Sequence, residues 1–333
     1  MRRPGGRFPG AGARYLLNAV NLARQQDGWP RGAATGVGLL AQEARKLPRL
    51  LRLRWRARNR QAEPPAKAPV VDVPELLGQL ARTGIEVQTA TVDREAFARH
   101  LSAFAYPRFY AGGSLATGGF REAKLLEYFL SLELLPIAPT DVVIDVASER
   151  SVFPEMIGAT IGARVLRQDM LYPPGVRGDR IGGSAAAMPI PADFADKLFL
   201  HNSFEHFEDD ADTRFVAEAW RVLKPGGGVC IVPLYLSLRY QNITDPLLDT
   251  AGVVWDAGAE VVERVGHRNR FGRFYSVPAF VERVLEPAAK LGFDRAIYEI
   301  PDAAPASGSG VDLLLRAQRG LRFAMVLRKP PAR

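Results

Sequence analysis

The sequence predicts an α/β fold: a mostly parallel sheet with helices on both faces, preceded by a basic extension. Three observations predict it. Between Asp141 and Leu234, apolar runs of a strand's length alternate with segments of helical period, as in strand-helix units that build a parallel sheet. The run "RVLKPGGGVCIVPLY" places Pro225 where a helix must stop and glycines where the chain must turn into a strand. Charge is partitioned: residues 1–60 hold fourteen Lys/Arg and two Asp/Glu, against 44 and 36 in the whole chain, which leaves 30 basic and 34 acidic residues for the body.

The first element is therefore a basic arm with linker, residues 1–70. "ARYLLNAVNLARQQDGW" has Leu16, Leu17, Val20 and Leu22 at near-helical spacing. "LLAQEARKLPRLLRLRWRARNR" carries Leu47, Leu50, Leu51, Leu53 and Trp55 among Arg52, Arg54, Arg56, Arg58 and Arg60. Apolar side chains among arginines suit an anionic membrane surface, where each basic residue contributes about 1 kcal/mol. The same charges could meet nucleic acid, which is the less favoured partner, or form a solvated extension that binds nothing specific. The prolines of "QAEPPAKAPVVDVP" read as a linker.

Composition excludes several classes. Hydrophobic content of 47% is that of a globular protein. A single cysteine, Cys230 in an apolar run, rules out an internal disulfide framework, fits a reducing compartment, and reads as a buried small hydrophobe. No apolar stretch approaches the roughly 18 residues that cross a bilayer, and the N-terminus lacks the apolar core of a secretory signal. The expectation is a cytoplasmic protein, peripheral at the inner face of the membrane if the arm binds lipid.

The body spans residues 71–333. "VPELLGQLARTG" and "DREAFARHLSAF" predict short amphipathic helices, the second with Asp93 as N-cap, and "GIEVQTATV" between them a strand. "FREAKLLEYFLSLELL" predicts a long helix with Leu125, Leu126, Phe129 and Leu130 on its apolar face. "VVID" follows as the first central strand, ending in Asp145. "RVLRQDM" ends a second at Asp169, "KLFLHNSFEHF" contains another, and Asp210–Leu223 reads as a helix. Residues about 236–275 look like an insertion whose Tyr235, Tyr240, Asp245, His267, Arg268, Arg270, Arg273 and Tyr275 suit a phosphate, carboxylate or sugar, or form a solvated surface subdomain. "SVPAFVERVLEPAAKLG" predicts a helix capped by Ser276 and ended by Gly292. "FDRAIYEI" and "LRFAMVLRKP" predict the final, antiparallel strands.

The order "VVIDVASERSVFPEMI", "RVLRQDM", "MPIPADFADKLFLHNSFEHF", "FVAEAWRVLKPGGGVCIVP" resembles the class I, Rossmann-like S-adenosylmethionine-dependent methyltransferases, in their small-molecule branch. The likeness covers about residues 119–236, with a weaker tail to Lys329. It implies a seven-stranded, mostly parallel sheet with the last strand antiparallel, and S-adenosylmethionine as cofactor. The family's D-x-G-x-G-x-G loop is degenerate: Ala147, Glu149 and Ser151 stand where glycines would. The resemblance implies a cofactor site of Asp145, Ala147, Ser148, Glu149, Asp169, Met170, Ser184, Ala185 and His201. Asp169 would accept from the ribose hydroxyls, since a carboxylate is acceptor-only.

His201, Asn202, Ser203, Glu205 and His206 crowd one strand end. His201, Glu205 and His206 are the catalytic candidates, with His201 or Glu205 as general base or else holding the loop by hydrogen bonds; His206 matches a histidine common in the family that the sequence resembles. No third ligand accompanies His201 and Glu205, so no metal is expected. Two functions follow from the resemblance. One is methyl transfer to a hydroxyl of a small molecule, sugar or glycolipid. The alternative is a non-catalytic protein on the same scaffold, docked to a membrane or partner complex by its arm.

Overall fold

The computed structural model describes residues 71–106, 119–149, 151–264, 267, 269–301 and 321–332. The side chains of 119–123 are not among them. The described residues belong to the unit Glu63–Arg333. The predicted arm, residues 1–60, and the rest of the linker up to residue 70 lie outside them.

The unit opens with helix α1, Val73–Arg82, strand β1, Val87–Thr89, and helix α2, Arg94–Ala103. Asp72 and Asp93 cap the helices by accepting backbone N–H groups. Helix α3 runs Gly119–Leu134, strand β2 Val142–Val146, helix α4 Phe153–Thr160 and strand β3 Arg164–Asp169. A short hairpin, β4 Gly175–Arg177 and β5 Arg180–Gly182, precedes β6, Ala195–His201. A 3-10 turn, Phe204–His206, leads to helix α5, Ala211–Val222, and strand β7, Leu223–Val232. Strands β8 Gln241–Thr244, β9 Glu260–Glu263 and β10 Gly272–Phe274 follow. Helix α6, Val277–Phe280, continues through a π-turn, Val281–Leu285, into helix α7, Glu286–Leu291, before β11 Asp294–Glu299 and β12 Phe323–Arg328.

The main sheet has the order β1-β11-β12-β7-β6-β2-β3-β5-β4. Seven of its strands, β1, β2, β3, β6, β7, β11 and β12, are those the sequence predicts; the hairpin strands β4 and β5 are not. β2, β3, β5, β6 and β7 are parallel neighbours, and β12 runs antiparallel to both β7 and β11. The sheet holds nine strands rather than seven because the hairpin β4–β5 extends one edge. β1 pairs parallel with β11, and β4 folds back on β5.

Alternation sorts the strand residues onto two cores. Ile144, Val146, Leu198, Leu200, Val229 and Ile231 face α1, α5, α6 and α7. Val143, Phe199, Cys230 and Val232 face α2, α3 and α4. Cys230 is fully buried, and burial pushes its thiol pKa up, so it behaves as the inert hydrophobe expected. Helix α5 ends at Val222, and the predicted "KPGG" turn falls within β7, where Gly226 sits at φ +83° and its N–H bonds Lys329 O at 2.9 Å. Gly292 ends α7 in the left-handed region, and Ser276 caps α6.

The insertion is a second sheet, order β10-β8-β9. A buried ion-pair cluster ties it to helix α5. Arg273 is fully buried and clamps Asp256 through Nε and Nη2 at 2.6 and 2.7 Å, with Asp212 of α5 at 3.0 Å. Arg283 and the Tyr275 hydroxyl complete the bonds to Asp212. Arg273 and Tyr275, expected as possible substrate contacts, thus serve the insertion's attachment. Arg270 pairs with Glu208, and residue 268 lies outside the described residues. Among the described residues no helix is long and apolar enough to cross a membrane.

Candidate active site

Parallel strands aim their carboxyl ends at one edge, and there β2, β3, β5, β6 and β7 deliver their terminal residues. After β2 the loop Ala147–Glu149 puts non-glycine residues in the left-handed region that favours glycine: Ala147 lies at φ 52° and Glu149 at φ 40°. That conformation costs an L-residue about 1–2 kcal/mol, so the loop must be held. The Ala147 N–H donates to Gln168 Oε1 at 3.2 Å, and the Ser148 N–H to Gln168 O at 2.9 Å. The Glu149 N–H donates to Asp169 Oδ2 at 2.8 Å. Strain that persists because its surroundings over-determine it is a mark of functional loops.

Asp169 is buried and accepts a second amide, from Leu171 at 2.8 Å, on Oδ1. A carboxylate has about four acceptor positions, so two remain for further donors. Met170 follows it, 77% exposed. β3 and β5 register Asp169 against Gly182, so exposed Ser184 and half-buried Ala185 lie at the same sheet edge as Met170. Gly182 is required there: a Cβ would fall 1.9 Å from Pro173 O.

Asp145 and His201 are found deeper than expected. Asp145 is 1% exposed, and its Oδ1 lies 3.6 Å from His201 Nδ1. His201 Nε2 lies 2.9 Å from Ser131 Oγ, and its ring packs on Tyr128, Phe153 and Phe199. Burial depresses the His201 pKa and keeps the imidazole neutral. Its surroundings suit support of the strand ends more than direct work on an acceptor.

The acid-base groups at the end of β6 are assembled from three elements. Glu205, buried in the 3-10 turn, is held above the usual carboxylate range by desolvation. Its Oε1 lies 3.5 Å from His206 Nε2. His206 Nδ1 lies 2.7 Å from Phe271 O; a carbonyl only accepts, so Nδ1 carries the hydrogen and Nε2 turns to Glu205. From α3 comes Glu127, which the sequence reading missed. Burial pushes its pKa up to about 7, against the opposing pull of Lys124 at 2.9 Å. Lys124 also donates to His201 O at 2.8 Å, which ties α3 to the strand end. Tyr235, after β7, donates to Asn202 Oδ1 at 2.5 Å; burial, then Glu205 and Glu127, push its pKa well up. One signal for Glu127 was present: an acid inside the apolar face set by Leu125, Leu126, Phe129 and Leu130.

Four buried side-chain atoms at these strand ends have no hydrogen-bond partner: Asp145 Oδ2, His201 Nδ1, Ser203 Oγ and Glu205 Oε2. Buried polar atoms cost about 1–3 kcal/mol when unsatisfied, so their concentration here marks a place that expects a ligand or water. Among the described residues no group of three or more metal-ligating side chains is found.

The fold is Rossmann-like: parallel strands with helices on both faces and their carboxyl ends along one edge of the sheet. Residues 158–231 match the family model described as "Methyltransferase domain". A comparison with curated protein sequences found no match. Among solved structures the chain is similar to the Burkholderia thailandensis 1,6-didemethyltoxoflavin-N1-methyltransferase with bound 1,6-didemethyltoxoflavin and S-adenosylhomocysteine. Identity is 17%, covering 80% of this chain and 94% of that one, with a TM-score of 0.38. It is also similar to a geranyl diphosphate methyltransferase in complex with GPP and sinefungin, at 15% identity, 77% and 94% coverage and a TM-score of 0.41. A third is a SAM-dependent methyltransferase from Archaeoglobus fulgidus, at 13% identity, 67% and 97% coverage and a TM-score of 0.37.

Proposed function

We propose that this domain transfers a methyl group from S-adenosylmethionine to a hydroxyl of a small molecule, sugar or glycolipid. The observation that carries the acceptor chemistry is Glu127, a buried carboxyl with a pKa of about 7 among Glu205, Lys124 and Tyr235 at the strand ends. The residues present fit the cofactor. Asp169 retains acceptor capacity that ribose hydroxyls would use, the 147–149 loop holds left-handed turns, and Met170, Ser184 and Ala185 stand at the same sheet edge, where an adenine would lie. S-adenosylmethionine supplies a methyl group already activated on a sulfonium.

The chain's part is then to orient the acceptor and take its proton. A carboxyl with pKa near the working pH is suited to that: ionised often enough to accept, basic enough to draw the proton. Glu127 is the leading base, Glu205 the second carboxyl, and the His206 ring orients Glu205. Lys124 limits the rise of the Glu127 pKa, so the base is available at neutral pH.

The test is calorimetry of the full chain with S-adenosylmethionine and S-adenosylhomocysteine, followed by methyl-transfer assays over sugar, phenolic and lipid-linked hydroxyls. Binding together with turnover on a hydroxyl supports the proposal. Absence of binding to either nucleoside overturns it and favours a non-catalytic scaffold, the reading that Glu149 in a glycine position supports.

A further inference from the structure

A loop that has lost its glycines needs another device to keep their shape, and the β3–β4 connection provides one. Tyr172 reaches back to the loop after β2. Its hydroxyl donates to Glu149 O at 3.0 Å and lies 3.1 Å from Ser148 Oγ, which can donate to it. The Glu149 N–H is taken by Asp169 Oδ2. Both backbone polar groups of the residue at φ 40° are therefore held from outside the loop, by two residues three apart at the end of β3.

Tyr172 is itself braced. Its N–H bonds Asp169 O at 3.3 Å, the Arg180 guanidinium lies 5.3 Å from its ring centroid, and the Tyr172–Pro173 backbone packs so closely on Gly182 that no Cβ would fit. A braced donor can hold a strained acceptor; a free one would follow it.

We propose that Tyr172 is a positioning residue for the cofactor loop: it takes over the conformational role of the missing glycines by locking Glu149 in the left-handed region before cofactor binds. This rests on the reading of residues 145–151 as the cofactor loop. Without the lock, residue 149 relaxes to an ordinary conformation, and binding must restore the strained one at its own expense. Glycine needs no lock, because it enters the left-handed region freely. The lock and the glycine are thus alternatives, and their effects on affinity cannot add.

The experiment is a binding cycle read by calorimetry with S-adenosylhomocysteine on the full chain: wild type, Tyr172→Phe, Glu149→Gly and the double variant. Tyr172→Phe is expected to weaken binding about five- to thirty-fold in the wild-type loop, the equilibrium equivalent of one residue's left-handed cost. In the Glu149→Gly background the same change is expected to weaken binding less than about twofold. Hydrogen exchange of the Ser148 and Glu149 amides should quicken in Tyr172→Phe. Equal weakening in both backgrounds, or no weakening in either, overturns the role. If none of the four proteins binds, the cofactor reading falls with it; if wild type binds and the cycle shows no coupling, only the Tyr172 role falls. Should Tyr172→Phe fail to fold, Ser148→Ala removes the loop's bond to the same hydroxyl and is read against the same two backgrounds, with the same sign expected.

Discussion

The backbone N–H of Glu149 donates to the carboxylate of Asp169 at 2.8 Å, so two residues twenty apart in sequence join the ends of β2 and β3. The carboxylate closes the loop on one side and leaves acceptor positions free on the other. Loop geometry and the expected ribose contact are therefore properties of one side chain.

Asp169→Ala should weaken S-adenosylhomocysteine binding by about 1.5–3 kcal/mol, the worth of hydrogen bonds to a charged group. It should also lower the melting temperature, because two amides lose their acceptor. Calorimetry and thermal melts on the same samples separate the two effects; an unchanged Kd in a folded variant removes Asp169 from the cofactor site.

Restoring glycine should stabilise. Ala147 and Glu149 occupy φ 52° and φ 40°, and glycine relieves about 1–2 kcal/mol of strain at each. Part of that is offset by the larger unfolded-state entropy of glycine, about 0.4–1 kcal/mol. Ala147→Gly is expected to gain roughly 0.5–1 kcal/mol, or about 1–4 °C in Tm for a domain of this size. A lower Tm would show that the Ala147 methyl group contributes packing that outweighs the strain.

The pH dependence of stability should carry the mark of Glu127. Its pKa is raised from 4.5 to about 7, first by burial. Between those values the folded state keeps a proton that the unfolded state has lost, so stability is fully present below pH 4.5 and falls as pH rises through 7. At about 1.36 kcal/mol per unit the loss amounts to about 3 kcal/mol. Glu127→Gln should flatten the Tm curve between pH 4 and 8, leaving the fall in the same direction that Glu205 contributes. Parallel curves would mean that Glu127 is not raised.

Arg273→Met should cost about 3–5 kcal/mol, because it leaves Asp212 and Asp256 buried with one fewer cation. The insertion sheet should become the first part cut in limited proteolysis. The triple change Arg273→Met with Asp256→Asn and Asp212→Asn should recover part of the loss. A mild effect of the single variant would show that Arg283 alone holds the two carboxylates.

Residues 1–60 are expected to bind anionic lipid. Liposome co-sedimentation should pellet the full chain with anionic but not neutral vesicles, and a protein beginning near Val70 with neither. Raising salt from 0.1 M to 1 M shortens the screening length from about 10 Å to about 3 Å and should weaken the electrostatic part. Equal partitioning of the two proteins removes the membrane proposal; displacement from vesicles by nucleic acid alone favours the other anion.

Periodicity and punctuation in the sequence determine the strand-helix units, because the positions that must be apolar, capped or left-handed are local facts. Asp93, Ser276, Pro225 and Gly292 act where they were expected to. The strand ends at Asp145, Asp169 and His201 are equally local, so the edge of the sheet that carries the site was legible. What a side chain does there is not. His201 stands in the sequence as a candidate base, yet packing among Tyr128, Phe153 and Phe199 withdraws it into the core. Glu127 stands on the apolar face of an amphipathic helix, which marks it as unusual but not as a base, and becomes an acid of near-neutral pKa only when packing of α3 against the sheet buries it. Arg273 and Tyr275 read as surface recognition groups until α5 supplies Asp212. The glycine-poor loop reads as a defect until Tyr172 and Asp169 are seen to hold its shape. Burial and long-range partners decide these roles, since desolvation and hydrogen bonding depend on what surrounds a group, and those neighbours come from distant parts of the chain.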